Sequence, residues 1–126
     1  MPARRILVID DENDIREIAQ LSLEMMGGWT VLTARSGQEG IDKAIAAQPE
    51  AILLDVMMPE MDGPTTLQQL QANAVTKYIP VIFLTAKVQS ADRRQFGALG
   101  VTAFIAKPFD PLTLAHQIAA ALGWEL

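Results

Sequence analysis

Five residues at the ends of short apolar runs carry side chains that could do chemistry together. They are Asp10, Asp11, Asp55, Thr85 and Lys107. Three carboxylates that lie close together repel one another, so such a group needs cations to remain ionised. Lys107 supplies one positive charge, and a divalent ion would supply the rest. Because the side chains offer oxygen ligands, Mg²⁺ is the natural ion and Mn²⁺ a substitute.

A carboxylate beside a divalent cation, a hydroxyl and a lysine suits phosphoryl transfer, which requires an oriented acceptor and neutralised phosphoryl oxygens. Asp55 stands alone at the end of the central run, whereas Asp10 and Asp11 are adjacent and better suited to share a metal. We therefore expect Asp55 to be the acceptor. Any one of these residues could instead belong to a solvated acidic patch, with Lys107 as a surface ion pair. Because all five lie at strand ends, a functional site is favoured over a solvated patch.

The elements that must position these residues are short apolar strands separated by helices. The apolar runs cover residues 6–9, 30–33, 51–54, 81–84 and 101–105. Most lack polar alternation, which is typical of parallel strands covered on both faces. Segments of helical periodicity lie between them. The sequence therefore predicts one α/β domain over residues 1–126, a doubly wound five-stranded parallel sheet of the (βα)₅ type. Ligands bind at the carboxyl ends of such strands, so the five residues should share one edge.

Capping residues predict where three helices begin. Ser36 and Glu39 form a capping box, and Asp62 and Asp110 each precede an early helical proline. Periodicity predicts which faces the helices bury. In the first helix one arc carries Ile15, Ile18, Ala19, Leu21 and Met25.

The last helical segment, residues 111–124, carries no charged residue. One stripe, Leu114, Ile118 and Ala121, can face the sheet. A second stripe consists of Leu112, Ala115, Ala119 and Leu122. We expect this second stripe to point at least partly outward, as a contact surface for a second copy or a target.

Composition excludes several functional classes. The chain has 126 residues, 50% of them hydrophobic, and no cysteine. This length can bury a core without disulfides, and thiol catalysis and cysteine-ligated metals are excluded. The net charge of −5 argues against a sequence-independent grip on nucleic acid. Neither a signal peptide nor an apolar run long enough to span a membrane is present, so we expect a soluble, cytoplasmic protein.

The order of these motifs resembles the receiver domain of bacterial response regulators over about residues 5–122. The matching pieces are Asp10-Asp11, the segment from Asp55 to Pro59 with Asp62-Gly63 behind it, Leu84-Thr85-Ala86, and Lys107-Pro108-Phe109. The resemblance implies a flavodoxin-like strand order, 2-1-3-4-5. It also implies a phosphorylation-dependent signalling switch of a two-component system.

The resemblance assigns a role to each site residue. Asp55 would be the phosphoacceptor. Asp11, Asp55 and the backbone carbonyl of Met57 would bind Mg²⁺, with Asp10 acting partly through water. Thr85 and Lys107 would hold phosphoryl oxygens.

Three further expectations come from the same resemblance. The Lys107-Pro108 bond should be cis. Phe104 should be the switch aromatic, without the hydroxyl of the tyrosine that the family often has. Met57 and Lys87 should flank the route of an attacking water, and the apolar Met57 predicts slow hydrolysis.

Partners are also implied by the resemblance. A sensor histidine kinase or phosphotransfer protein would donate the phosphoryl group. A protein target or a second copy would bind the face formed by the fourth helix, fifth strand and fifth helix. No DNA-binding segment follows Leu126; if this is the whole chain, output must be by protein contact or onward phosphotransfer, and we expect neither direct nucleic-acid binding nor membrane insertion. The domain would not be an enzyme beyond assisting its own phosphorylation and slow dephosphorylation.

Two other functional classes compete with this interpretation. A haloacid dehalogenase-type phosphohydrolase also uses an aspartyl nucleophile, but in that family it lies on the first strand in an Asp-x-Asp pattern. Residue 12 here is Glu. A non-phosphorylated interaction module would not need all five site residues. Dinucleotide binding is disfavoured because no glycine-rich loop follows the first strand.

Overall fold

Alternating strands and helices form one sheet with helices on both faces. The computed structural model describes residues 4–86 and 90–126, so Lys87 lies outside the described residues. The elements are β1 (Arg5–Ile9), α1 (Asn13–Gly27), β2 (Thr30–Ala34), α2 (Gly37–Ala47), β3 (Ala51–Asp55), α3 (Gly63–Ala72), β4 (Val81–Thr85), α4 (Ser90–Ala98), β5 (Ala103–Ala106) and α5 (Leu114–Leu122). The strands are parallel in the order β2-β1-β3-β4-β5. The predicted fold and strand order are confirmed.

Two apolar cores lie on opposite faces of the sheet. Alternate residues of a strand point to opposite faces, so β1 contributes Ile6 and Val8 to one core and Leu7 and Ile9 to the other. Helices α1 and α5 cover the first core, and α2, α3 and α4 cover the second. This burial on both faces explains why the strands read as nearly continuous apolar runs.

Two of the three predicted helix caps are confirmed. The Ser36 hydroxyl accepts a hydrogen bond from the Glu39 N–H at 3.1 Å, and the Asp62 carboxylate accepts one from the Thr65 N–H at 2.8 Å. The prediction for Asp110 is wrong in position. Its carboxylate accepts from the Leu112 N–H at 2.9 Å, which closes a turn, and α5 begins only at Leu114. A side chain that satisfies a nearby backbone N–H in a turn competes with helix formation at that point.

The fifth strand also begins later than predicted. Gly100 has a φ of +91° and lies in the connection that follows α4. The chain turns there before the Thr102 N–H donates to the Val81 carbonyl at 2.8 Å, and β5 then starts at Ala103. Val101 is apolar because it packs against the second core, not because it is part of the strand.

The predicted outward stripe of α5 is largely wrong, since of its four residues Leu112 alone is exposed and Leu122 is half-buried. Ala115 and Ala119 are buried together with Leu114 and Ile118, whereas Ala121 is exposed. The helix therefore rests on the sheet through both predicted stripes near its start. Alanine side chains are small enough to let the backbone approach the sheet closely, so they contribute to the core and not to a second surface.

The predicted apolar arc of α1 is only partly correct. Its buried residues are Ala19, Ser22 and Leu23, and Ile15 is half-buried. Ile18, Leu21 and Met25 are exposed instead and line a groove with Met26 and the start of the α5 connection. At this groove the Ser22 hydroxyl donates to the Pro111 carbonyl and so links α1 to the connection.

Two tryptophans pack against each other at the amino edge of the sheet. The ring centroids of Trp29 and Trp124 are 5.2 Å apart in an edge-to-face arrangement. The Arg4 guanidinium lies 4.4 Å from the Trp124 ring centroid and pairs with Glu50 at 3.0 Å. Both rings therefore act as packing anchors between these segments.

The helices of the described residues are short. The longest, α1, has 15 residues, and no described helix is both long and apolar enough to cross a bilayer. A membrane-spanning helix needs about 20 predominantly apolar residues.

Candidate functional site

The predicted site residues meet at the carboxyl edge of the sheet. Asp10 follows β1, Asp55 ends β3, Thr85 ends β4 and Lys107 follows β5. These four strands are neighbours in the sheet, so parallel pairing brings their ends together. Asp10, Asp55 and Thr85 are buried, whereas Asp11 is exposed at the rim. The structure therefore brings together the five residues that the sequence singled out.

Backbone hydrogen bonds hold Asp10 in place. Its N–H donates to the Ala34 carbonyl at 3.1 Å, and its carbonyl accepts from the Arg16 guanidinium at 2.8 Å. Its carboxylate accepts from the Glu12 N–H at 2.9 Å. Arg16, which the sequence analysis did not single out, thus links the first turn of α1 to the site without placing its charge on a site carboxylate.

The backbone around Asp55 is packed against the start of α3. The Val56 N–H donates to the Leu84 carbonyl at 3.3 Å, and the Gly63 N–H donates to the Val56 carbonyl at 2.9 Å. A Cβ on Gly63 would lie 2.7 Å from both the Asp55 carbonyl oxygen and the Val56 Cα. Glycine is required at position 63 because any larger side chain would push α3 away from the site.

Lys107 bridges the two buried carboxylates. Its Nζ lies 3.0 Å from Asp10 Oδ2, 3.1 Å from Asp55 Oδ1 and 3.8 Å from Glu12 Oε1. The backbone N–H of Lys107 donates to the Thr85 carbonyl at 3.0 Å. The Lys107-Pro108 bond is cis, as predicted. Glu12 is a further carboxylate near the lysine that sequence reasoning missed as a site residue, although its place directly after Asp11 was a usable signal.

Burial and mutual charge shift the site's proton equilibria. Burial, followed by repulsion from Asp10, raises the pKa of Asp55 to about 6, although Lys107 partly opposes the shift. Burial lowers the pKa of Lys107, but its hydrogen bonds and ion pairs with Asp10 and Asp55 together outweigh that effect and raise it above its ordinary value. Lys107 is therefore a permanent cation at neutral pH, and Asp55 is mostly ionised.

The carboxylates fit a divalent cation. One oxygen from each of Asp10, Asp11 and Asp55 lies within 4.8 Å of the others. Asp10 Oδ2 and Asp55 Oδ2 are buried and accept no hydrogen bond from the described residues, although Asp10 Oδ2 is in ion-pair contact with Lys107. Buried carboxylate oxygens with spare acceptor capacity, beside a third and exposed carboxylate, are a donor set suited to Mg²⁺.

The remaining predicted residues lie around this group. The Met57 side chain is exposed, directly beyond the turn that follows Asp55. Phe104 is half-buried on β5 and is the register partner of Phe83 on β4. The role of Met57 as a carbonyl ligand, and of Thr85 as a phosphoryl ligand, stay predictions.

Comparison with known proteins places this geometry in a family. The model of the family described as the response regulator receiver domain matches residues 6–119. The chain belongs to this family. Among solved structures, the receiver matches the chemotaxis protein CheY4 of Vibrio cholerae with a TM-score of 0.88 and 29% identity, covering 94% of this chain and 98% of that one. A putative response regulator from Chloroflexus aurantiacus matches with a TM-score of 0.86 and 28% identity, covering 96% and 98%.

Curated relatives of the receiver are longer proteins. It is 36% identical over 119 residues to the alkaline phosphatase synthesis transcriptional regulatory protein PhoP of Bacillus subtilis, covering 94% of this chain and 48% of PhoP. It is 38% identical over 118 residues to the DNA-binding dual master transcriptional regulator RpaA of Synechocystis, and the match covers 94% of this chain and 48% of RpaA. The chain thus spans about half the length of these relatives.

Proposed function

We propose that this receiver is a phosphorylation-dependent switch in which Asp55 accepts a phosphoryl group with Mg²⁺ bound. A sensor histidine kinase or phosphotransfer protein donates the group in the cytoplasm. The observation that carries the proposal is the bridging of Asp10 and Asp55 by Lys107 beside the exposed Asp11. That constellation supplies an acceptor, a fixed cation and a set of metal ligands.

The residues divide the chemistry between them. An Asp55 carboxylate oxygen forms a bond to phosphorus while the bond from phosphorus to the donor's imidazole nitrogen breaks, so Asp55 must be ionised. Mg²⁺, held by Asp10, Asp11, Asp55 and the Met57 carbonyl, would neutralise charge on the transferring group. Lys107 shifts its ion pair from the Asp55 carboxylate to a phosphoryl oxygen, and the Thr85 hydroxyl donates to another. In this scheme the phosphoryl group goes to the chain's own Asp55 and not to a separate substrate, so the domain would not be an enzyme beyond assisting its own phosphorylation and dephosphorylation.

The new charge is read on the face formed by α4, β5 and α5. Thr85, drawn to the phosphoryl group, leaves space into which the Phe104 ring can turn. The partner is a protein target or a second copy, because the net charge of −5 disfavours direct contact with nucleic acid. The exposed side of α5 that remains for this contact is His116, Gln117, Ala120 and Ala121.

The receiver has a groove between α1 and the connection to α5 that is suited to docking of the phosphodonor. Ile18, Leu21 and Leu112 expose large apolar surfaces there, at 43%, 58% and 67%. The exposed charges of α1 near this groove, Glu17 and Glu24, are both acidic. The groove therefore suits an amphipathic donor helix whose apolar stripe is flanked by Lys or Arg.

Labelling by acetyl phosphate tests the proposal without a protein donor. With Mg²⁺, intact-mass measurement should detect one added phosphoryl group, which Asp55→Asn and metal chelation both abolish. Asp62→Asn is the matched control, because Asp62 is an exposed carboxylate and Asn preserves its capping role.

Three outcomes would contradict the proposal. Persistent labelling of Asp55→Asn would refute the acceptor assignment. An unlabelled wild-type chain would favour the non-phosphorylated interaction module. Multiple turnover of a phosphate ester would favour the phosphohydrolase.

A further inference from the structure

One buried ring holds the described part of α4 against the sheet. Side-chain burial is described for residues 92–98 of this helix, and among them only Phe96 is buried, at 5% exposure. Arg93, Arg94 and Gln95 beside it are exposed. By contrast, α2 buries the side chains of two residues, Ile41 and Ala44, and α5 buries those of four. The apolar attachment of this part of α4 therefore depends on a single residue.

The Phe96 ring lies between two other phenylalanines. Its centroid is 5.1 Å from that of Phe83, with the rings nearly perpendicular, and 5.8 Å from that of Phe104, with the rings tilted by 39°. Phe83 is fully buried on β4, whereas Phe104 is half-buried on the edge strand β5. Phe96 thus contacts one ring that the core encloses and one that is partly exposed.

The position of this aromatic group couples it to the proposed phosphorylation site. Phe83 and Thr85 are two residues apart on β4, so they face the same side of the sheet, the side covered by α4. Phe104 carries no hydroxyl, so no hydrogen bond from its ring can select one orientation. Packing alone selects it, and Phe96 is the ring against which it packs.

Resting on the proposed function, we infer that Phe96 is a positioning residue of the switch. Its contact with Phe83 fixes α4, and its contact with Phe104 stabilises the conformation described here. When Phe104 turns towards Thr85, its contact with Phe96 is lost, and the Phe96 ring must repack. Movement of Phe104 is thereby transmitted to α4 through one side chain.

Binding of beryllofluoride with Mg²⁺, a mimic of the phosphoryl group, tests this role in the full chain. Phe96→Leu should tighten binding by about 2- to 13-fold, the factor that one aromatic pair supplies, because the competing conformation loses its stabilising contact. Calorimetric titration measures the affinity. Amide exchange of α4 without the mimic should become faster, while exchange in the strands stays close to wild type.

A double-variant cycle separates positioning from general stability. Phe104→Leu should tighten binding as well, and combining it with Phe96→Leu should add little if the ring contact is the shared cause. Leu23→Met changes a fully buried residue on the opposite face and should leave affinity unchanged. Phe96→Met provides a second aliphatic variant should Phe96→Leu fold poorly.

The outcomes discriminate clearly. Unchanged or weaker binding by both Phe96 variants, or additive effects of the two leucine substitutions, would overturn the inference while leaving the proposed function intact. If the wild-type chain does not bind beryllofluoride at all, the proposed function fails, and this inference fails with it.

Discussion

Asp55 is the residue whose environment most affects both chemistry and stability. It is 2% exposed, and burial and the charge of Asp10 raise its pKa to about 6. A phosphoacceptor must be ionised to attack, and in the metal-free site the ionised fraction of Asp55 should decline as the pH falls through about 6. The same burial that shields the acceptor from water therefore makes its ionised form costly in the folded state.

The raised pKa predicts a pH-dependent effect of Asp55→Asn on stability. Between the ordinary pKa of 3.8 and about 6, Asp55 binds more protons in the folded chain than in the unfolded chain, so its contribution to the free energy of unfolding should fall as the pH rises through this range. Asn removes that cost. Without metal, the free energy of unfolding of Asp55→Asn should exceed that of wild type by about 1–3 kcal/mol near pH 8, and the difference should shrink near pH 4. Urea unfolding with a chelator measures this, and a pH-independent difference would refute it.

Met57 predicts the lifetime of the phosphorylated form. Its exposed side chain offers no hydrogen bond to a water approaching the Asp55 phosphorus. Met57→Asn should speed phosphate release by about three- to tenfold, well below the effect of a general base because Asn only orients the water. Loss of label in a single turnover measures the rate. Met25→Asn, at an exposed methionine of α1, is the control, and an unchanged or slower rate for Met57→Asn would exclude this role.

At the scale of elements, the orientation of α5 limits which surface can bind partners. The buried residues Ala115 and Ala119 come from what the sequence analysis expected to be an exposed stripe. Close packing against the sheet leaves only small and polar side chains on the outer side of this helix. A partner must therefore bind α5 through those groups, not through an apolar stripe.

This orientation predicts very different losses of stability for two alanine substitutions in α5. Ala115→Glu places a carboxylate in the core without a partner, so it should lower the free energy of unfolding by more than about 4 kcal/mol. Ala121→Glu, at an exposed position of the same helix, should change it by at most about 0.5 kcal/mol. Urea unfolding compares them. Equal stability of the two variants would mean that α5 is rotated from the orientation described.

At the scale of the whole molecule, the receiver separates its proposed surfaces. Phosphodonor docking is assigned to the groove between α1 and the α5 connection, and output to the face of α4, β5 and α5. The hydrogen bond from Ser22 to Pro111 ties the groove to the connection that begins at Lys107. The groove and the site lysine are thus joined by a short stretch of backbone.

The groove predicts that protein donors and small donors respond differently to one substitution. Leu21→Glu should slow phosphotransfer from a histidine kinase or phosphotransfer protein at least tenfold, about 1.4 kcal/mol, because it places a charge in the apolar contact. Labelling by acetyl phosphate should not change. Val75→Glu, at an exposed apolar residue after α3, is the control for both donors. Equal loss with both donors would indicate damage to the site instead of loss of docking.

Much of the fold and site could be predicted because the signals are local. Apolar runs identify strands, capping residues identify the starts of α2 and α3, and parallel strands necessarily bring their carboxyl ends to one edge. That rule was enough to group Asp10, Asp55 and Lys107 before any contact between them was known. The resemblance then predicted the cis Lys107-Pro108 bond, which sequence periodicity alone does not indicate.

Only the tertiary structure decided how the elements face one another. An apolar residue on a helix can pack into a core or line a groove, and periodicity does not distinguish the two; Ala115 proved buried and Leu21 exposed. The same holds for Phe96, whose contacts with Phe83 and Phe104 join three separate elements. The raised pKa of Asp55 likewise depends on burial and on charges that are distant in the chain. Residue order therefore determined which groups reach the edge, and packing determined their environment, because burial and proximity depend on all the elements at once.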